Sequence, residues 1–160
     1  MALPTNQAVK ELFEGLLGRE VTLSYGRRPD MEAKLGTCTA VYVDDQNQLT
    51  AVVVMDFPLT ANVGAALGLV PAGGAEAAVE DGVMPESLQE NADELLNVLA
   101  GTINQFSDVH QRLYHVHRPG DVLPADVVPW TITLTGRVDL TLAPKGYGSG
   151  DLSIISVLPV

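Results

Sequence analysis

Residues 87–106, SLQENADELLNVLAGTINQF, carry two different faces at helical period. At about 100° per residue, Leu88, Ala92, Leu95, Leu96, Leu99, Ile103 and Phe106 fall within roughly 100° of one another, which is the apolar stripe of a helix facing a core. Glu90, Asp93, Glu94, Asn97, Gly101 and Asn104 lie opposite. Glu94 and Asn97 are three positions apart, so a carboxylate and an amide emerge one turn apart on the same side. Gly101 shares that side, where glycine costs a helix about 0.5–1 kcal/mol relative to alanine, a cost that makes sense if another backbone must come close. Pro85 suits the first turn.

Outward from this helix, residues 6–17 read as a second packing helix, with Val9, Leu12, Phe13, Leu16 and Leu17 on one face and Gly18 placed as a left-handed cap. Residues 20–27, 34–44 and 48–57 are rich in Val, Thr, Tyr and Leu, and Asp45, Gln46 and Asn47 form the polar turn of a hairpin between the last two. The apolar run AVVVM at 51–55 implies a strand buried on both faces or covered by the two long helices. Residues 59–67 read as a short helix, and the Gly/Ala-rich stretch 71–80 as a mobile connection with few anchoring side chains. Further strands are expected at 112–118, 130–142 and 151–158, the last two joined by the turn KGYGSG, while the three prolines of 119–129 imply loop or sheet edge. The sum is one α+β (α/β) domain over residues 1–160: a mixed, largely antiparallel six-stranded sheet packed by two long helices, with three helices in all.

The 160 residues are 46% hydrophobic, enough for one substantial core, and carry a net charge of −11. That charge is localised. Between Gly36 and Gln111 there is no Lys or Arg, whereas Asp44, Asp45, Asp56, Glu76, Glu80, Asp81, Glu86, Glu90, Asp93, Glu94 and Asp108 fall there. Such a distribution argues against a nucleic-acid partner and against docking on an anionic membrane, both of which need clustered cations. Around Glu94 it would steer a partner with a positive contact surface. No apolar stretch approaches the ~20 residues of a membrane span, and the first residues lack a secretory pattern, so a cytoplasmic address is the default expectation. Cys38 is the single cysteine and cannot form an internal disulfide.

His115 and His117 alternate on an expected strand and share a face, with His110 and Asp121 nearby, but the spacing lacks the convergence of a metal signature and no metal is expected. No phosphate-cradling GxxxxGK[ST], GxSxG or GxGxxG-helix pattern occurs, and no cofactor of the chain's own is expected.

The segment ELLNVLAG at 94–101 resembles the signature helix of the CheC/CheX/FliY family of chemotaxis phosphatases, in which Glu-x-x-Asn is preceded by Asp or Ser and followed downstream by a proline. Glu94 and Asn97 match the central pair; Glu90 stands where the family has Asp or Ser, and Pro119 is the nearest downstream proline. VKELFEGLLGREV at 9–21 is similar to the family's opening helix and first strand. Some members repeat the pair on that helix, but here the spacing offers Glu11 and Glu14 with no amide, so one site per chain is expected, the CheX arrangement. The resemblance implies a phosphatase acting on the aspartyl phosphate of a CheY-like response-regulator receiver in chemotaxis or two-component signalling. Asn97 would orient the attacking water and Glu94 would dock a receiver lysine. Glu90, Gly101, Asn104 and Pro119 would add partner contacts, and Mg2+ would come with the receiver. It also allows a homodimer through joined sheet edges. The alternative is a non-catalytic module of the same fold that binds a receiver or a flagellar-switch component.

Overall fold

The computed structural model describes residues 3–158. The elements are α1 (Asn6–Leu17), β1 (Val21–Tyr25), β2 (Thr37–Val43), β3 (Leu49–Asp56), α2 (Phe57–Leu67), α3 (Ala72–Asp81), α4 (Glu86–Gln105), β4 (Arg112–His117), α5 (Val128–Thr131), β5 (Arg137–Pro144) and β6 (Gly150–Ser156). The six strands form one sheet in the order β1-β5-β6-β3-β2-β4. All five pairings are antiparallel, so among the described residues the sheet is wholly antiparallel and has none of the parallel pairs of a mixed one.

That order reads as two halves. In each, a helix is followed by an outer strand and then a hairpin: α1, β1 and β2–β3 in the first; α4, β4 and β5–β6 in the second. Exchanging β1 with β4, β2 with β5 and β3 with β6 maps the strand order onto itself, a pseudo-twofold that passes between β3 and β6.

Local chemistry sets the ends of α1. Thr5 Oγ1 accepts from Ala8 N at 3.1 Å, and Gly18 closes the helix at φ 66°, a left-handed conformation that glycine adopts without a Cβ penalty. The helices α1, α2 and α4 cover one face of the sheet. Their core joins Val9, Phe13, Leu95, Leu96, Leu99 and Ile103 to Ala51, Val53 and Met55 of β3. The alternate residues Val52 and Val54 face the other way, onto Val127, Trp130 and Met31. Both readings of AVVVM therefore hold: helices on one side, a covering segment on the other. A Cβ at Gly64 would collide with the Leu88 carbonyl, so glycine is what lets the backbones of α2 and α4 touch.

Two further sequence expectations are corrected. Residues 72–81 form helix α3, not a mobile connection: the small Ala75 and Ala78 bury against Phe57, Ala61, Ala65 and Leu88, and Gly82 caps the helix at φ 67°. Alanine is a strong helix former, and its small side chain permits close packing where anchoring by long side chains would not. The strand expected from residue 130 begins only at Arg137, and Trp130 lies in α5. The guanidinium of Arg137 takes the Thr131 and Thr133 carbonyls at 3.0 and 2.9 Å, folding the preceding segment back in place of a longer strand. Five helices therefore stand among the described residues where three were expected.

Candidate functional site

The inward stripe of α4 is as its period predicts: Leu88, Ala92, Leu95, Leu96, Leu99 and Ile103 are buried, and Phe106 is half-buried just past the last turn. Tyr42 reaches across from β2 and donates to the Leu96 carbonyl at 2.6 Å, pinning the helix to the sheet at mid-length. The steps of four, three and four residues from Glu90 to Glu94, Asn97 and Gly101 form the opposite stripe, and all four are exposed.

Most other polar side chains of α4 are committed internally. Gln89 Nε2 donates to Asp93 Oδ1 at 2.8 Å, and Asn91 Nδ2 donates to the Gly64 carbonyl at 3.0 Å. Arg118 Nη1 donates to both oxygens of Glu86 at 2.8 Å, and its Nη2 reaches Asp93 Oδ2 at 3.2 Å. Asn104 is held by the backbone of Gln111. Glu94 and Asn97, like Glu90 on the same stripe and Gln105 at the end of the helix, have no side-chain hydrogen-bond or ion-pair partner among the described residues. Their Cβ atoms, three residues apart on a helix, are about 5–6 Å from each other. The result is a carboxylate and an amide, held on a rigid helix and open to whatever approaches.

Of the other residues expected at the site, Glu90 and Gly101 share the stripe, and a Cβ added at Gly101 would meet no atom within 4 Å. Asn104 lies near it, but its amide is engaged in both directions. Pro119 is half-buried beside a pocket of about 500 Å3 whose lining includes Glu86 and Gln89. At 1.5 Å rise per residue, those two lie about 7–12 Å before Glu94 along the helix axis, so Pro119 flanks the N-terminal approach to the pair. Arg118 belongs to no motif in the sequence. Its place immediately after β4, as a cation beside a helix face otherwise lined with acids, was the available signal.

The equivalent stretch of α1, ELFEGLLG at 11–18, presents nothing comparable. Glu11 Oε1 accepts from Gln7 Nε2 at 3.0 Å, and Glu14 Oε2 accepts from Val21 N at 3.0 Å, tying the helix to the start of β1. Burial pushes the Cys38 thiol up to about 12, which keeps it protonated and unreactive near neutrality. Among the described residues no group of three or more His, Cys, Asp or Glu is placed to hold a metal ion. The rings of His115 and His117 meet edge to face at 4.6 Å. Among the described residues no helix is long and apolar enough to cross a membrane.

An exposed carboxylate–amide pair on a convex helix, with no nucleophile beside it, can position a water or hold a cation but cannot enclose a small substrate.

The fold is of the CheC/CheX/FliY type. It is shared with the FliM middle domain from H. pylori at a TM-score of 0.62 and 9% identity, over 94% of this chain and 83% of that one. A chain of the FliG–FliM complex from H. pylori matches at 0.59 and 11%, over 94% and 87%. A chemotactic CheC-like protein from Shewanella oneidensis MR-1 matches at 0.50 and 12%, over 94% and 93%. No protein-family model and no curated protein matches the sequence.

Proposed function

We propose that the chain is a phosphatase for the aspartyl phosphate of a CheY-like receiver domain. The observation that carries this is the exposure of Glu94 and Asn97 without internal partners, on a helix whose neighbouring amides are bonded within the fold. An acyl phosphate is already labile, so placing a water in line with phosphorus supplies much of the rate. The carboxamide of Asn97 is suited to placing it, since Oδ1 accepts from the water while Nδ2 donates to a phosphoryl oxygen, and the group brings no negative charge toward the phosphate. The water oxygen bonds to phosphorus, the bond from phosphorus to the aspartyl oxygen breaks, and the products are inorganic phosphate and the receiver's carboxylate. Glu94, one turn earlier, takes a receiver lysine through a charge-assisted hydrogen bond and sets the docking register. The receiver supplies the phosphoaspartate and its Mg2+. Turnover is tested by following loss of phosphate from a phosphorylated receiver with and without the chain; no acceleration would overturn the catalytic reading.

The likeness to the FliM middle domain favours a second reading, a non-catalytic module that binds a receiver or a flagellar-switch component, as FliM is found with FliG in the H. pylori complex. Binding of the phosphorylated receiver at an unchanged rate of hydrolysis would select it.

A further inference from the structure

The side of the sheet away from α4 carries a surface that the α4 pair does not use. The connections between β1 and β2 and between β4 and β5 are equivalent under the pseudo-twofold, and a groove of about 700 Å3 runs between them. Arg28, Met31 and Glu32 form one wall, and Val122, Val128 and Ile132 the other. Val122 is 92% exposed, Ile132 53% and Val128 44%, whereas the sheet residues beneath, Val41, Val52, Val54 and Ile155, are already closed off by Val127, Trp130 and Met31. The aliphatic wall is therefore surplus to the core, and exposed apolar clusters rimmed by polar groups mark interaction sites.

Its walls are pre-set. Arg28 Nη1 donates to the Ile132 carbonyl at 2.9 Å, joining one side to the other. Asp30 Oδ1 accepts from Glu32 N at 2.9 Å, and Thr131 Oγ1 donates to the Val128 carbonyl at 2.7 Å. A formed groove binds without first being ordered, and its size lies within the ~300–1,000 Å3 usual for ligand sites. Four ionisable side chains line it: Asp30, Glu32 and Asp121 against the single cation Arg28, already engaged with Ile132. The occupant that complements this is apolar along its length and basic at its edges.

We propose that this groove binds a short segment of a partner protein in which aliphatic side chains alternate with lysine or arginine. The aliphatic groups seat against Val122, Val128 and Ile132, and the cations meet Asp30, Glu32 and Asp121. The three carboxylates against one guanidinium in the lining disfavour an acidic segment by like-charge repulsion. The site is independent of Glu94 and Asn97, so it stands or falls apart from the phosphatase reading.

The full chain is titrated with a terminally blocked peptide of alternating leucine and lysine. Trp130, the single tryptophan, reports through its fluorescence from within the groove's own helix, and amide chemical shifts map the contact. A saturable change is expected, with shifts confined to residues 28–32 and 121–132. Affinity should weaken by about tenfold in Val122→Ser/Ile132→Ser, whose exposed positions leave folding intact by circular dichroism. Absence of saturation, equal affinity in the double variant, or equal binding of a leucine–glutamate peptide would overturn the proposal. So would concentration-dependent self-association abolished by the double variant, which would make a second copy of the chain the occupant.

Discussion

Asn104 and Gln111 close the turn from α4 into β4 with a reciprocal pair of hydrogen bonds. Asn104 Nδ2 donates to the Gln111 carbonyl at 2.8 Å, and Asn104 Oδ1 accepts from the Gln111 N–H at 2.8 Å. Gln111 in turn takes Thr50 Oγ1 at 2.8 Å and donates to Ser107 at 3.0 Å, so the turn is tied to β3. Asn104→Ala removes two bonds worth about 1 kcal/mol each and should cost about 2 kcal/mol in urea unfolding. Receiver binding should persist once the variant is folded. Lost binding at unchanged stability would instead return Asn104 to the partner surface.

Asn97→Ala should lower phosphatase turnover by about 10²–10³-fold, the loss seen when one positioned donor is removed elsewhere, while affinity for the phosphorylated receiver is largely kept. Glu94→Lys should fail earlier, in docking, because it sets a like charge against the proposed receiver lysine. Single-turnover kinetics with a separate binding titration distinguish the two. An Asn97→Ala protein with full turnover would remove the amide from the mechanism.

Arg137 holds the covering segment on the far side of the sheet. Its side chain is 6% exposed, pairs with Asp139 at 3.0 Å and bonds the Thr131 and Thr133 carbonyls. Arg137→Met should therefore destabilise by about 2–4 kcal/mol, because it leaves two carbonyls without their donor and Asp139, still bonded by Ser153 Oγ, without its cation. Chemical denaturation measures it, and a loss below about 1 kcal/mol would mean that the network contributes little.

What the sequence made legible follows from how local the cause was. The bounds of α1 are set by Thr5 and Gly18, and the inward face of α4 by its period, so both helices were readable in advance, α4 to within one residue at each end. The alternation of Thr131, Thr133 and Thr135 with Ile132 and Leu134 starts the expected strand at 130 rather than at Arg137, where β5 begins, because the deciding bonds come from Arg137, beyond that pattern. Helix α3 is not legible in the sequence because its packing depends on small side chains facing a neighbour, which carry no amphipathic signal. The exposure of Glu94 and Asn97 could be read from period alone. The commitment of Asn104 could not, because its partner is the backbone of Gln111, and neither could the clamp of Arg118 on Glu86 and Asp93.

His117 gives a pH dependence of definite sign. Burial, with a smaller contribution from the neighbouring His115, lowers its pKa from the ordinary 6.5, and Asp121 only partly opposes this. As pH falls through 6.5, the unfolded chain takes up a proton that the folded ring resists. Stability from this group is thus full above 6.5 and declines as pH falls toward the folded pKa. His117→Gln should flatten the slope of unfolding free energy just below pH 6.5, and the imidazole of the native protein should titrate below that value by NMR. A midpoint above it would contradict the assignment.

Gly101 separates a docking surface from an inert one by opposite signs. It lies within α4, is exposed, and has no atom within 4 Å of where a Cβ would stand. Gly101→Ala therefore introduces no clash in the free protein and removes the entropic cost of glycine in a helix, so stability should rise by up to about 1 kcal/mol. The added methyl projects one turn beyond Asn97, where the receiver's backbone would come closest, so receiver affinity and turnover should fall together. Thermal melts and turnover on the same preparation decide the matter. A more stable Gly101→Ala protein with wild-type turnover would mean that no partner approaches the helix closely at this point, and Glu94 and Asn97 would then have to act from the N-terminal part of the face alone.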